Sequence, residues 1–373
     1  MENRENSKRL FKVFLIYFII LMTFVCVRIA SNFGLFSIIK NEYASDFIAT
    51  LIIQVCILFL LPFILYSTLF KKNTKKVFKD FGFKKLDFKA ILICFGIGIL
   101  AYIFNIFVSN FFSVVLNYLG YNPSYSAGSG SGYDTVPKFL YGILSVAILP
   151  AICEEFVHRG LILRGASKAI GYKAAIVISS VLFGLMHMNI SQFFYATVLG
   201  FLMALVATMT RSIWPAVILH FCNNFMNVFM SFAESTKLIG FSLTDFLNGI
   251  ANQSTILFFV VSILIVGIVL FGIIMLIKQL FMATGAKRYN KMFEKIETKI
   301  RETSGGEVSD NDVVMAFQKY VFPNMKSPKS VYDLYIADGK HYGDISLKYK
   351  IPLISCFVLA GLITVFTFVW GVI

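Results

Sequence analysis

The sequence predicts an all-α polytopic membrane protein, with about nine transmembrane helices, chemistry-bearing residues on the helical bundle, and a polar cytoplasmic insert. Three observations predict it. Of 373 residues, 58% are hydrophobic and only 14% are charged, with mean hydropathy +0.77, outside the range of soluble domains. Apolar runs of about 20 residues recur, long enough to cross a hydrocarbon core. Lys and Arg crowd into alternate loops, the bias that sets orientation in a bilayer.

The runs fall at about 11–30, 46–70, 90–118, 138–158, 174–190, 192–210, 213–232, 254–278 and 351–373. The first follows Arg4, Lys8 and Arg9 and runs into Arg28 within "VCVRIASNF". No small-x-small cleavage pattern closes it, so it reads as an uncleaved anchor. Eight lysines fall between Lys71 and Lys89, and twelve Lys or Arg between Lys287 and Lys350. This places the N-terminus, the 71–89 loop and the 279–350 segment in the cytoplasm. The 120–137 and 233–253 loops, nearly free of Lys and Arg, then lie outside, as does the C-terminus.

The net charge of +14 is therefore a topology signal, and no nucleic-acid partner is expected. A composition rich in Lys, Ile, Phe and Asn fits an AT-rich bacterial genome. The expectation is an integral multi-pass protein of a bacterial cell membrane, with the lipid bilayer as partner. The six cysteines stand singly within apolar runs and form no C-x-x-C pair, so they read as core residues without a disulfide framework.

No internal repeat is visible. The stretch "NPSYSAGSGSGYD", 122–134, reads as a flexible linker; no strand precedes it, as a phosphate-cradling loop would require. "KRYNKMFEKIETKIRE", 287–302, has helical periodicity with a basic balance, fitting a solvated helix or one lying on the inner membrane surface. The chain divides into N-terminal anchor spans with a basic loop (1–84), a core (85–232), an external loop with the eighth span (233–278), the polar insert (279–350) and a last span (351–373).

The stretch "PAICEEFVHRG", 150–160, sets two carboxylates, Glu154 and Glu155, at membrane depth. Ionisable groups there are costly unless paired, so they point to function. Three of the four histidines, His158, His187 and His220, follow within the same third of the chain. Residues four apart share a helix face. Glu155 can meet Arg159; Glu154 and His158 share a face about 100° round the helix. Phe183 backs His187, and His220 stacks with Asn224.

If Gly171 marks a turn, Glu155 and His187 each lie 16 residues from it, about 24 Å along antiparallel helices. His220 lies only about eight residues from the edge near Arg211, a mismatch that calls for tilt or a helix extending past the bilayer. Pro150 would free the carbonyl of residue 146 and bend the helix beside the carboxylates.

A carboxylate, two imidazoles and a carboxamide are the parts of a hydrolytic site. Glu can take a proton from water, and neutral His can hold that water or protonate a leaving amine. His and Asn can donate to a developing oxyanion. Glu with His also suits a divalent metal such as zinc, with a position left open for water.

In this order, Glu154-Glu155-x-x-x-Arg159, Phe183-x-x-x-His187 and His220-x-x-x-Asn224 resemble the EExxxR, FxxxH and HxxxN motifs of the CAAX-protease and bacteriocin-processing family of intramembrane proteases. Pro150, Gly160 and "SIWPAVILH" extend the resemblance, which covers roughly residues 85 to 232. It implies peptide-bond hydrolysis of a membrane-associated protein or peptide. Glu154 would activate water with His187 as partner. His220 and Asn224 would stabilise the oxyanion, and Arg159 would order the glutamates. Glu155 would be a second carboxylate or the partner of Arg159. If metal is used, Glu154 or Glu155, His187 and His220 are the candidate ligands. His158 departs from the family pattern, in which a bulky apolar residue precedes the Arg; it could pair with Glu154.

Each feature also has a plain structural reading. Glu155–Arg159 would serve as an anchoring pair, His187 as a satisfied histidine, His220–Asn224 as interhelical glue and Cys222 as a small apolar filler. Two other functions compete. Carboxylates and histidines in a membrane also build proton or cation pathways, though the paired interrupted helices of a transporter are missing from the two halves. A catalytically idle immunity or binding protein would keep the fold without needing Glu154.

Overall fold

The computed structural model describes residues 2–36, 39–121, 133–239, 253–286 and 345–372, with scattered positions between 246 and 315. The described residues form helices joined by short turns, and no strand. The expected helix at 287–302, most of the 279–350 insert and most of the Gly/Ser loop lie outside them.

Eight described helices are long and apolar enough to cross a membrane. They are α1 (Glu2–Asn32), α2 (Ala44–Phe70), α4 (Phe88–Tyr118), a 51-residue helix Val136–Met186, α7 (Ile190–Thr210), α8 (Trp214–Ser235), α9 (Thr255–Phe281) and α10 (Leu347–Val372). A straight 51-residue helix would run about 75 Å, well over twice a hydrocarbon core. It does not run straight. Gly171, at φ 80° and ψ 161°, breaks it into α5 (136–170) and α6 (172–186). Only glycine takes that conformation cheaply. The legs fold back on each other: Ser179 Oγ donates to His158 O at 2.8 Å, and the Phe183 and His158 rings meet at 5.1 Å. The fourth and fifth apolar runs are therefore separate legs.

A short helix, α3 (Thr74–Phe81), closes one end of the bundle. Asn73 caps it by accepting from Lys76 N at 3.0 Å. It buries Val77 and Phe81 and leaves its lysines outward, as an amphipathic helix should. The turn after it ties two spans together. Asp80 O accepts from Arg164 Nε at 3.0 Å, Gly82 O from Ile213 N at 2.9 Å, and Lys84 O from Ser212 Oγ at 2.6 Å.

These ties resolve the depth mismatch of His220. The common edge of α5 and α8 lies at Arg164 and Ser212, and α5 continues past it to Gly171. Glu155 is nine residues from Arg164 and His220 eight from Ser212, so both stand about 12–13 Å from one level.

Close helix approach sets the site. A Cβ on Gly184 would lie 2.6 Å from Phe193 O, so α6 and α7 touch backbone to backbone there. A Cβ on Gly98 would lie 2.7 Å from Cys222 Cβ, which brings α4 against α8. Dispersion at such contacts holds helices together where lipid removes the hydrophobic drive. The last span, α10, packs on α1, with Cys356 Sγ 3.7 Å from Phe14 O.

Candidate active site

Phe183 is the hub. Its ring meets those of His158, His187 and His220 at 5.1, 5.2 and 5.5 Å, each near perpendicular, and carries the Arg159 guanidinium 4.7 Å from its centre. Edge-on rings and a cation over the face both suit the ring's quadrupole. The sequence places Phe183 behind His187 alone; the fold gathers three spans around it.

The adjacent glutamates have different surroundings. Glu155 is fully buried. Its Oε2 lies 3.0 Å from Arg159 Nε and its Oε1 accepts from His220 Nδ1 at 3.0 Å. Arg159, also fully buried, donates through Nη2 to Gly200 O at 2.8 Å. Glu154 has no such cation. Its Oε1 accepts from Gln54 Nε2 at 3.1 Å, and its Oε2 lies 4.0 Å from His220 Nε2. Its carboxylate borders two open cavities of about 720 and 640 Å³, which share Arg28, Gln54, Ser145, Glu154, His187 and Gln192 in their walls.

All three histidines anchor Nδ1: His158 to Glu154 O at 2.9 Å, His187 to Phe183 O at 3.0 Å and His220 to the Glu155 carboxylate. The acceptors assign the Nδ1–H tautomer, which leaves each Nε2 with a lone pair. His158 is thus bonded to the backbone of Glu154, not to its carboxylate, and its buried Nε2 has no hydrogen-bond partner among the described residues. His187 lines both cavities and His220 the second.

Asn224 acts across helices. Its Nδ2 donates to Val146 O at 2.9 Å. That carbonyl is the one whose usual partner would be the N–H that Pro150 lacks. Asn223, unmarked by any motif, is the more buried of the two. It accepts from Asn105 Nδ2 and donates to Asn224 Oδ1, each at 3.1 Å.

Gln54, Asn105 and Asn223 also escape a motif search. Each is a polar residue within an apolar run, and such residues are costly in a membrane unless bonded. That signal is present in "IIQVC" and "IFNIF". Only the fold shows that Gln54 reaches Glu154 and that Asn105 and Asn223 line one cavity with His220.

The metal expectation does not fit this arrangement. Among the described residues no three His, Cys, Asp or Glu side chains converge as a metal-holding group. The carboxylate of Glu155 is already occupied by Arg159 and His220.

Residues 136–226 match the family described as "Rce1-like: Type II CAAX prenyl endopeptidase Rce1-like". A 97-residue stretch is 28% identical to "Putative membrane peptidase YdiL" of Bacillus subtilis (strain 168). It covers 26% of this chain and 40% of that protein, so less than half of the relative is matched. No solved structure matches the chain. All three motifs fall inside the matched segment, whereas Arg28, Gln54 and Asn105 fall outside it. Over residues 136–226 this chain is thus similar to the type II CAAX prenyl endopeptidases, in the segment whose motifs resemble those of the CAAX-protease and bacteriocin-processing family.

Proposed function

We propose that this protein is an intramembrane endopeptidase that hydrolyses a peptide bond of a membrane-associated protein or peptide, with water activated by Glu154. One observation carries the reading. Glu154 Oε2 and His220 Nε2 face each other at 4.0 Å. In the assigned tautomer both are acceptors, so their natural bridge has two hydrogens to give and an oxygen left over. Water is that molecule.

Glu154 takes one proton as the water oxygen attacks the substrate carbonyl carbon. Gln54, bonded to the other carboxylate oxygen, fixes the orientation of the base. His187 Nε2, on the same cavity wall, helps hold the water. The oxyanion forms beside the carboxamides of Asn223 and Asn224. The proton on Glu154 then passes to the leaving amine, directly or through His220, whose far nitrogen is braced by Glu155. Arg159 offsets the charge of Glu155, and Glu154 is the carboxylate left to take the proton of water. Collapse of the tetrahedral intermediate breaks the C–N bond and leaves a carboxylate and an amine.

The test compares bacterial membranes expressing the parent chain with membranes expressing Glu154→Gln. New C-termini are read by mass spectrometry in ¹⁸O-labelled water. Label should enter carboxylates that form with the parent alone. If no peptide-bond cleavage depends on Glu154, the reading is wrong.

A further inference from the structure

One cation in the cavity walls has no part in the hydrolysis. Arg28 stands near the far end of the first span and lines both cavities beside Glu154 and His187. Among the described residues it is the only Lys or Arg lining either cavity. Among the described residues its contact is the ring of Phe24 on its own helix, 5.9 Å from the guanidinium carbon, and no carboxylate pairs with it. The neighbouring wall offers neutral groups such as Thr50 and Gln192 and the apolar face of Trp370. Such a site suits an anion brought by something else.

We propose that Arg28 is the carboxylate-binding residue of a substrate subsite, and that the preferred substrate carries a carboxylate close to the bond cleaved. The proposal rests on the peptidase reading for the nature of its ligand. Helix geometry gives the spacing. The Tyr17 hydroxyl donates to Leu182 O at 3.3 Å and fixes the relative level of α1 and α6. Both helices run away from the lysine-rich end. Arg28 is eleven residues beyond Tyr17, and His187 five beyond Leu182. The Arg28 Cα therefore stands about 9 Å farther along than His187. Helical side chains tilt toward the N-terminus, which turns the guanidinium back toward the site. Extended peptide covers about 3.3 Å per residue, so a carboxylate on Arg28 lies within a few residues of a carbonyl at Glu154. Arg presents a planar fork that matches a carboxylate with two bonds, which neutral wall groups cannot do.

The carboxylate could be a peptide C-terminus or an acidic side chain, and the experiment separates them. The full chain is purified in detergent with Trp214→Phe, leaving Trp370 as the only tryptophan of the original two. An apolar nonapeptide is made as C-terminal acid, as C-terminal amide, and as amide with one internal Asp. Binding is read by quenching of Trp370, which lines the first cavity, and cleavage is read on the same samples.

One carboxylate form should bind about tenfold or more tightly than the plain amide, the scale of a charge-assisted hydrogen bond. Arg28→Gln should erase that difference and Arg28→Lys restore part of it. Equal binding of all three peptides, or a preference that survives Arg28→Gln, overturns the proposal. So does a result in which Arg28→Gln releases only phosphatidylglycerol, because the ligand is then a lipid phosphate. Selective binding without cleavage would count against the peptidase reading and leave the subsite standing. Cleavage indifferent to the carboxylate would do the reverse.

Discussion

Arg159 Nε lies 3.0 Å from Glu155 Oε2, and neither side chain reaches solvent. The contact is close but not aligned as a hydrogen bond; the directed bonds are Arg159 Nη2 to Gly200 O and His220 Nδ1 to Glu155 Oε1. The pair is a charge contact that joins α5 to α7 and α8. Glu155→Gln keeps an acceptor for His220 but strands a buried guanidinium. Removing one partner of a fully buried pair costs about 3–5 kcal/mol. The variant should melt at clearly lower temperature in detergent and give less folded protein. A melting temperature equal to the parent's would show that Arg159 does not depend on Glu155.

Glu154→Gln is the contrasting case. The residue is only 9% exposed, yet no buried cation depends on it. Gln is nearly isosteric and still offers a carbonyl oxygen to Gln54, so the fold should survive. It cannot take the proton of water. Loss of a general base costs about 10²–10⁴-fold in rate. Cleavage rate and melting temperature, measured together, should show a folded and nearly inactive protein. If this variant is instead the unstable one, and Glu155→Gln the folded and inactive one, the roles of the two glutamates are exchanged.

The spans were legible because each is a long apolar run, and the Glu155–Arg159 contact because i,i+4 spacing dictates it. Two things were not. The edge of α5 lies at Arg164, not Gly171, because long-range bonds from the 80–84 turn set it, and nothing local in "RGASKAIG" marks it. The acceptor of His220 Nδ1 is Glu155, 65 residues away. Adjacency of Glu154 and Glu155 shows that they point apart; only packing shows which one meets His220 through a direct bond and which through a gap.

The metal question has a direct measurement. The three candidate donors do not converge as arranged, so cleavage by purified protein should continue after treatment with chelator. Loss of cleavage that zinc restores would show that Glu154, His187 and His220 move together on binding. In that event restoration should weaken at acid pH, because a ligating imidazole must be deprotonated.

Orientation is tested by labelling. The positive-inside bias predicts that the end of the bundle bearing the lysines of α3 and the turns beside it faces the cytoplasm. A cysteine introduced at Lys75 should be reached by a membrane-impermeant maleimide only after the cells are opened. Labelling in intact cells would invert the topology. The cysteines at 26 and 56 are exposed in the bundle and should be removed first.

The last prediction concerns the carboxamide relay. Asn105 donates to Asn223, Asn223 to Asn224, and Asn224 to Val146 O, all in one direction. Each amide nitrogen has a second N–H to give, and Asn223 and Asn224 line one cavity with His220. Asn105 thereby fixes which way the Asn223 amide faces. Removing an oxyanion donor costs about 10²–10³ in kcat, so Asn223→Ala should fall in that range with KM little changed. Asn105→Ala should lose less, and again in kcat. Asn105→Asp, when ionised, has no N–H to give. It should turn the Asn223 amide over and be worse than Asn105→Ala. Because Asn105 acts through Asn223, the Asn105→Ala/Asn223→Ala double variant should cost no more than Asn223→Ala alone. Costs that simply add would show that the two residues act independently and that the relay plays no part in catalysis.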